Sequence, residues 1–145
     1  MMMNLTRRRL TVGAALMAAT FFVLSVGSAQ AQSRALMATI PFGFYAGETQ
    51  LPAGDYRVDT IGSGVVKLFN RDTHTPVIFH TNPVRNSSRE PVSAKLVFHR
   101  YGQEYFLSEM WWSNQDGGRE TQLSKRERQL AKTAAPARIE SVAHR

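Results

Sequence analysis

The chain contains no cysteine among its 145 residues, and this absence excludes several kinds of chemistry. Without thiols there are no disulfides, no cysteine nucleophile and no thiolate ligands for zinc. The sequence also lacks a G-x-S-x-G segment and any H-x-H or H-E-x-x-H pattern. These absences predict neither an enzyme nor a metal site, and nothing in the sequence implies a cofactor. The fold must therefore depend on its hydrophobic core alone.

Residues 1–31 differ in composition from the rest of the chain. Three arginines, at positions 7 to 9, precede an apolar run, and Ala29 and Ala31 form an A-x-A cleavage site. This order is typical of a secretory signal peptide. The mature protein is therefore expected to be periplasmic or extracellular, in a bacterium. At about 18 residues the apolar run also leaves an uncleaved membrane anchor possible, and the paired arginines leave twin-arginine export open.

The basic charge of the chain lies mainly near its two ends. The net charge of +7 would fall to +4 without residues 1–31, which contain three arginines and no acid. Much of the remaining excess lies after Ser124, so the central part of the chain is close to neutral. This distribution does not favour nucleic-acid binding.

From Ala38 onward, short runs rich in β-branched and aromatic residues alternate with turn-forming residues. Such spacing predicts an all-β domain, a small antiparallel sandwich or barrel of about six strands. The runs are ATIPFGFY, DYRVDTI, VVKLFN, PVIFHT, SAKLVFHRY and EYFLSEMWW. We expect one domain over residues 32–132.

Two hairpins can be assigned to residues. A three-residue loop, Gly62 to Gly64, would pair Asp59 with Lys67. A two-residue loop with Gly102 in its first central position would pair Arg100 with Tyr105, and continued regular pairing would set Leu96 opposite Glu109. In addition, LPAGDY is similar to the turn of a tyrosine corner, in which a tyrosine hydroxyl bonds the backbone upstream.

A short helix is predicted after the last strand. Ser124, followed three residues later by Glu127, matches a capping box, and the helix should run to about Lys132. Residues 133–145 show no sustained pattern, so we expect a flexible tail there.

The second hairpin, Phe98 to Trp112, is dense in aromatic residues, and most of them are expected to fill the core. Regular pairing points Glu109 toward that core, where it needs either a raised pKa or a cationic partner such as Arg119 or Arg100. The opposite face could present an exposed apolar strip, or a second sheet or the helix could cover it. The candidate interaction or ligand residues are Tyr101, Phe106, Glu109, Met110 and Trp112.

Three segments together resemble a set of small exported proteins of soil acidobacteria. They are the IPFGF stretch from Ile40, Leu51 to Val58 (LPAGDYRV), and the segment from Tyr105 to Ala131 with its YFLS, GRE and SK-x-E elements. The resemblance covers nearly all of the chain after residue 31. It implies export and a single β domain, and it implies no activity.

The leading hypothesis is a non-enzymatic exported domain that acts by interaction at the cell envelope, with a protein or another envelope component. Its interaction surface would be the sheet face around Trp112 or the basic helix SKRERQLAK. The alternative is a barrel that encloses a small apolar ligand. An enzyme that uses Glu109 and a nearby histidine is a third, weaker alternative. Contact with a membrane is expected only through residues 1–31, if they are retained.

Cleavage of the N-terminal segment can be tested directly. If the full chain is expressed in a bacterium with an outer membrane, the exported product should begin at Gln32, because signal peptidase cuts after the second small residue of A-x-A. Intact-mass measurement of the periplasmic fraction checks this. An Ala31→Leu variant should accumulate uncleaved, and a full-length mass for the unmodified chain would contradict the prediction.

Overall fold

Short β-strands make up most of the chain in this computed structural model, which describes residues 35–88, 90–113 and 117–144. The predicted signal peptide lies outside these residues. The strands are β1 (Leu36–Ile40), β2 (Phe44–Ala46), β3 (Thr49–Leu51), β4 (Gly54–Thr60), β5 (Val65–Asn70), β6 (Thr75–Arg85), β7 (Lys95–Tyr101), β8 (Glu104–Trp111), β9 (Gly117–Thr121) and β10 (Ala137–Val142), and the helix is α1 (Lys125–Leu130). The predicted all-β class with one short helix is confirmed.

The described residues contain ten strands, more than the about six predicted. The run ATIPFGFY divides into β1 and β2, because Pro41 has no backbone N–H to donate to a sheet. The strands β3, β9 and β10 fall in segments that were expected to be turns or tail. In β9, Gly118 is required by close packing, since a Cβ there would lie 2.8 Å from the Trp111 ring. The Gly117-Gly118 pair therefore serves a strand rather than a turn.

The strands form one continuous sheet path with a branch. Hydrogen bonding follows the order β1-β4-β5-β6-β9-β8-β2-β3, and β7 joins β8 to β10. The long strand β6 connects the two parts of the sheet, because its first half pairs with β5 and its second half with β9. All pairings are antiparallel except β2 with β8. One bridged pair, Met37 with His144, links β1 to the residues just after β10.

The hairpin between β4 and β5 has the predicted register. Asp59 pairs with Lys67, and Val58 pairs with Leu68. The amide of Ile61 donates to the carbonyl of Val65 across the loop at 2.9 Å. Gly64 has φ of 78°, which is the left-handed conformation that this loop requires.

Tyr56 forms the tyrosine corner that the LPAGDY segment predicts. Its hydroxyl donates to the carbonyl of Pro52 at 2.6 Å and accepts from Nδ2 of Asn70 at 2.9 Å. Asn70 in turn accepts the backbone amides of Asp72 and Thr73 through its Oδ1. Burial raises the pKa of Tyr56, so the hydroxyl keeps its proton and remains a donor. This network fixes the ends of β4 and β5.

The core lies between the inner faces of the two parts of the sheet. In β1 the buried residues alternate with more exposed ones, which is the period of a strand with one face in the core. Phe44 packs edge-on against Tyr56 and Phe98, with ring centroids 5.2 and 5.4 Å apart. The cluster also contains Leu36, Ile40, Val58, Val66, Leu68, Leu96, Leu107, Met110 and Trp112.

The hairpin of β7 and β8 has the predicted register near its turn and a different register beyond it. Arg100 pairs with Tyr105 as expected, and Gly102 has the required positive φ of 61°. A β-bulge then inserts Ser108 as an extra residue, so Glu109 pairs with Val97 instead of Leu96. The register predicted for the open end of the hairpin is therefore wrong by one residue.

Residues 137–142 form a strand, so the prediction of a flexible tail over residues 133–145 is wrong for this part. The strand β10 pairs with β7 over its full length, and Ile139 lies opposite Phe98. Pairing with β10 gives hydrogen-bond partners to the backbone groups at the edge of β7 and brings Ile139 against the core.

All described residues belong to one compact unit, Ser33–Arg145. None of the helices in the described part of the chain is long and apolar enough to cross a membrane.

The tyrosine corner predicts a stability effect for Tyr56→Phe. Loss of the hydroxyl leaves Asn70 Nδ2 and the Pro52 carbonyl without this partner, which should lower the free energy of unfolding by about 1–2 kcal/mol. Urea unfolding followed by circular dichroism measures the change. Tyr105→Phe is the matched control, because its ring stacks on Phe42 and its hydroxyl makes no hydrogen bond among the described residues. Equal effects of the two substitutions would contradict the assignment.

Candidate functional site

The bulge at Ser108 decides which side chains of β8 face outward. Before it, Leu107 points into the core; after it, Met110 and Trp112 do. Ser108 and Glu109 both project to the opposite side, as the two residues of a bulge commonly do. We call this side the outer face; it carries Lys95, Val97, His99 and Tyr101 of β7, Phe106, Ser108, Glu109 and Trp111 of β8, and Arg138 and Glu140 of β10.

The candidate residues from the sequence are therefore distributed differently than the regular register implied. Met110 and Trp112 are buried in the core, with Trp112 only 5% exposed, and Glu109 points away from it. Tyr101 and Phe106 lie on the outer face but are also buried. Phe106 stacks on Tyr45 at 4.9 Å and contacts Tyr101 edge-on. These four side chains form no exposed apolar strip, and Glu109 is the candidate that reaches a cleft.

Glu109 is bound by two partners on the outer face. Nη1 and Nη2 of Arg138 each donate to one carboxylate oxygen at 3.0 Å, which is the bidentate geometry of a strong ion pair. Nε1 of Trp111 donates to Oε2 at 2.7 Å. The sequence predicted a cationic partner but named Arg119 or Arg100. The actual partner comes from β10, the strand that was expected to be a tail.

These contacts determine the charge of Glu109. Burial alone raises the pKa of its carboxyl, but the hydrogen bonds and charge of Arg138 and the hydrogen bond of Trp111 outweigh burial. The net pKa lies below its usual value of 4.5, so Glu109 is ionised at neutral pH. Hydrogen bonding to Glu109 likewise raises the pKa of Arg138.

A row of alternating charges continues from this pair along β10. Arg138 Nε lies 3.5 Å from Glu140, and Nζ of Lys95 lies 2.9 Å from the same carboxylate. Lys95, Glu140, Arg138 and Glu109 therefore neutralise one another in sequence across three strands. Because Arg138 is 50% exposed, this row borders solvent.

A cleft of about 510 Å³ opens beside the row of charges. We call it the 84–93 cleft, since the connection between β6 and β7 forms one wall, with Glu109, Trp111, Arg138 and Lys95 on the other. Asn86 organises the wall, because its side chain donates to the carbonyl of Glu90 and accepts the amide of Ser88. The remaining lining residues are Val84, Arg85, Ser87, Pro91, Val92 and Ser93.

A second polar network lies on the outer face next to Glu109. Nδ1 of His99 is 2.8 Å from Oε1 of Glu127, and Nε2 of His99 is 3.2 Å from Oγ of Ser108. The Glu127 side chain is only 5% exposed, and it also has a hydrogen bond with Tyr101. Burial and the Glu127 charge raise the pKa of Tyr101, so its hydroxyl remains protonated. The network joins β7, β8 and α1.

Helix α1 is held on the hairpin at several points. Its N-cap Ser124 accepts the amide of Glu127 at 3.0 Å, as the predicted capping box requires. The Glu127 side chain turns to His99 instead of back to the cap. Arg126 makes a bidentate pair with Glu104 at 3.0 and 2.9 Å. The basic helix is therefore partly engaged with its own domain.

Sequence reasoning missed Ser108, Glu127 and Arg138 as members of a site. The alternation of Arg138 and Glu140 with Ile139 is a strand signal that could have indicated β10. The contact of Ser108 with His99 could have been predicted, because His99 pairs with Phe106 in the regular register and Ser108 is then its diagonal neighbour on the same face. Among the described residues, no group of histidine and acidic side chains has the arrangement of a metal site.

Comparisons with protein-family models, with curated proteins and with solved structures gave no match for this chain.

Glu109→Gln should lower the free energy of unfolding by about 1 kcal/mol at pH 7, because an uncharged amide cannot make the charge-assisted bidentate pair. The folded-state pKa of Glu109 lies below its usual value, so its stabilisation is present above about pH 4.5 and disappears as the pH falls through the folded pKa. The wild type and the variant should therefore converge in acid.

Urea unfolding at several pH values between about 7 and 3 measures this convergence. Glu120→Gln is the control, because Glu120 is the exposed cross-strand neighbour of Glu109 and has no ion pair among the described residues. A gap between wild type and Glu109→Gln that stays constant down to pH 3 would contradict a role for the Glu109 charge.

Proposed function

We propose that this protein is an exported binding domain of the cell envelope, and that the 84–93 cleft is its binding site for a polar, carboxylated ligand. The observation that carries the proposal is the lining of the cleft. The lining is mainly polar, with three cations, two acids, three serines and an asparagine beside the apolar residues Val84, Pro91, Val92 and Trp111.

One cation of the cleft lining is available for an anionic group. Lys95, Arg138 and Glu109 belong to the row of charges that neutralise one another, which leaves Arg85 and Glu90 as the other charged residues of the lining. Arg85 is exposed and makes no ion pair with any described residue, whereas Lys95 and Arg138 are already paired with acids. An arginine guanidinium binds carboxylates in a bidentate manner, so Arg85 is the residue best placed to bind a ligand carboxylate.

The size and polarity of the cleft favour one or a few sugar units over a protein surface. A volume of about 510 Å³ is within the range of small-ligand sites. Hydroxyl and amide side chains can exchange hydrogen bonds with sugar hydroxyls, as Ser87, Ser93 and Asn86 could do here. The apolar ligand considered from the sequence receives no support from this lining. We therefore assign the cleft to an acidic sugar of an envelope polysaccharide.

The location outside the cytoplasm rests on the sequence. The N-terminal segment has the order of a signal peptide, and the body resembles exported proteins of acidobacteria. A cleft for an acidic sugar suits that location, because such sugars occur in surface polysaccharides. The near-neutral body gives no reason to expect nucleic-acid binding.

Calorimetric titration with a trimer of galacturonic acid tests the proposal. We expect a Kd below about 1 mM that rises with salt. Arg85→Ala should weaken binding about fivefold or more, since it removes a charge-assisted contact. Arg71→Ala is the matched control, because Arg71 is an exposed arginine in the turn between β5 and β6, outside the cleft lining.

Three results would overturn this assignment. They are no detectable binding of the trimer, equal affinity in the Arg85→Ala variant, and tighter binding of a neutral oligosaccharide or a glutamate-rich peptide. The last result would identify a different ligand class for the same cleft.

A further inference from the structure

We propose that Ser108 is a nucleophile activated by His99, with Glu127 orienting the imidazole, and that the outer face can cleave small carboxylic esters. This activity does not depend on the ligand of the 84–93 cleft. It also differs from the enzyme considered from the sequence, which would use Glu109 and a nearby histidine.

The three side chains have the geometry of an acid–base–nucleophile triad. Ser108 Oγ lies 3.2 Å from one ring nitrogen of His99, and Glu127 Oε1 lies 2.8 Å from the other. A nucleophile within hydrogen-bond reach of a base, with that base oriented by a third group, is the arrangement that activates a serine hydroxyl. Such a triad is recognised by geometry rather than by order in the chain.

The Glu127 carboxylate determines which nitrogen of His99 carries the proton. An ionised carboxylate only accepts hydrogen bonds, so Nδ1 of a neutral His99 must donate to it. The unprotonated Nε2 then accepts from the Ser108 hydroxyl, which is the tautomer that a general base needs. The N-cap of α1 and the Tyr101 hydroxyl hold Glu127 in place.

Ser108 is partly exposed to solvent. Ser108 is the extra residue of β8, it is half-buried, and the His99 side chain beside it is 25% exposed. Arg138 is the cross-strand partner of His99, and its guanidinium is bound to Glu109, the next residue after Ser108.

The reaction needs no reagent other than the ester and water. Oγ of Ser108 attacks the ester carbonyl carbon while its proton passes to Nε2 of His99. The bond to the alcohol oxygen then breaks, and the alcohol leaves with that proton. Water next attacks the acyl-serine, again losing a proton to His99, and the carboxylic acid is released as Ser108 recovers its hydrogen. Glu127 takes part only by orienting and balancing the imidazolium.

A fluorophosphonate probe tests the nucleophile on the whole protein. Attack by Oγ forms a phosphorus–oxygen bond and releases fluoride, so intact-mass and peptide analysis should locate one adduct on Ser108. Ser108→Ala should abolish it, and His99→Gln should slow it at least about a hundredfold, the lower end of the usual contribution of a general base. Hydrolysis of p-nitrophenyl acetate should fall in the same order.

Matched controls distinguish a serine that is activated by a histidine from a serine that is merely exposed to the probe. Ser63→Ala and His80→Gln alter an exposed serine and an exposed histidine outside the network, and both should react at the wild-type rate. Ser108→Ala removes a single hydroxyl, so its fold can be verified by circular dichroism even if His99→Gln unfolds. An adduct elsewhere, or undiminished labelling of Ser108 in folded His99→Gln, would overturn the proposal.

Two substitutions of Glu127 test its positioning role. Glu127→Ala removes the acceptor for Nδ1 of His99, so labelling of Ser108 should slow roughly tenfold or more. Glu127→Gln keeps an acceptor oxygen at the same reach and should recover part of the rate. Equal labelling rates in wild type and folded Glu127→Ala would show that Glu127 is only structural and would overturn the triad.

Discussion

One inserted residue, Ser108, determines which of the following side chains of β8 face the core and which face outward. Without it, β8 would keep strict alternation, and Glu109 would point into the core between Leu107 and Trp111. The bulge turns Met110 and Trp112 inward and places Glu109 outward, where Arg138 and Trp111 bind it. An unpaired carboxylate in the core would be costly. The bulge keeps Glu109 out of the core, and the ion pair with Arg138 balances its charge on the outer face.

The outer face is completed by segments that come late in the chain. Helix α1 brings Glu127 to His99 and Tyr101, and β10 brings Arg138 to Glu109 and Glu140 to Lys95. Each of these contacts pairs a group on the hairpin with an opposite charge or a donor. The end of the chain is thus bound to the sheet by polar contacts on one side and by Ile139 on the other. The 84–93 cleft and the Ser108 network are neighbours on this composite surface, because Glu109 lines the cleft and Ser108 precedes it in β8.

The parts of the fold that could be predicted are those with a local physical cause. The Gly62 to Gly64 loop needs positive φ, which only glycine adopts freely, and its register follows from that loop. The tyrosine corner and the Ser124 cap depend on atoms four and three residues apart, so a short segment contains all that is needed. The strand β9 was missed because Gly117 and Gly118 are usually turn residues, whereas here the Trp111 ring requires a residue without a side chain.

The sequence by itself determined the all-β class, two hairpin turns and the capped helix. Each of these follows from residues near one another in the chain. Tertiary structure alone decided which cation binds Glu109, that residues 137–142 pair as a strand, and that Glu127 meets His99. The physical reason is register: one extra residue in β8 exchanges the faces of all that follow, and the strand that completes the site joins from more than 25 positions away.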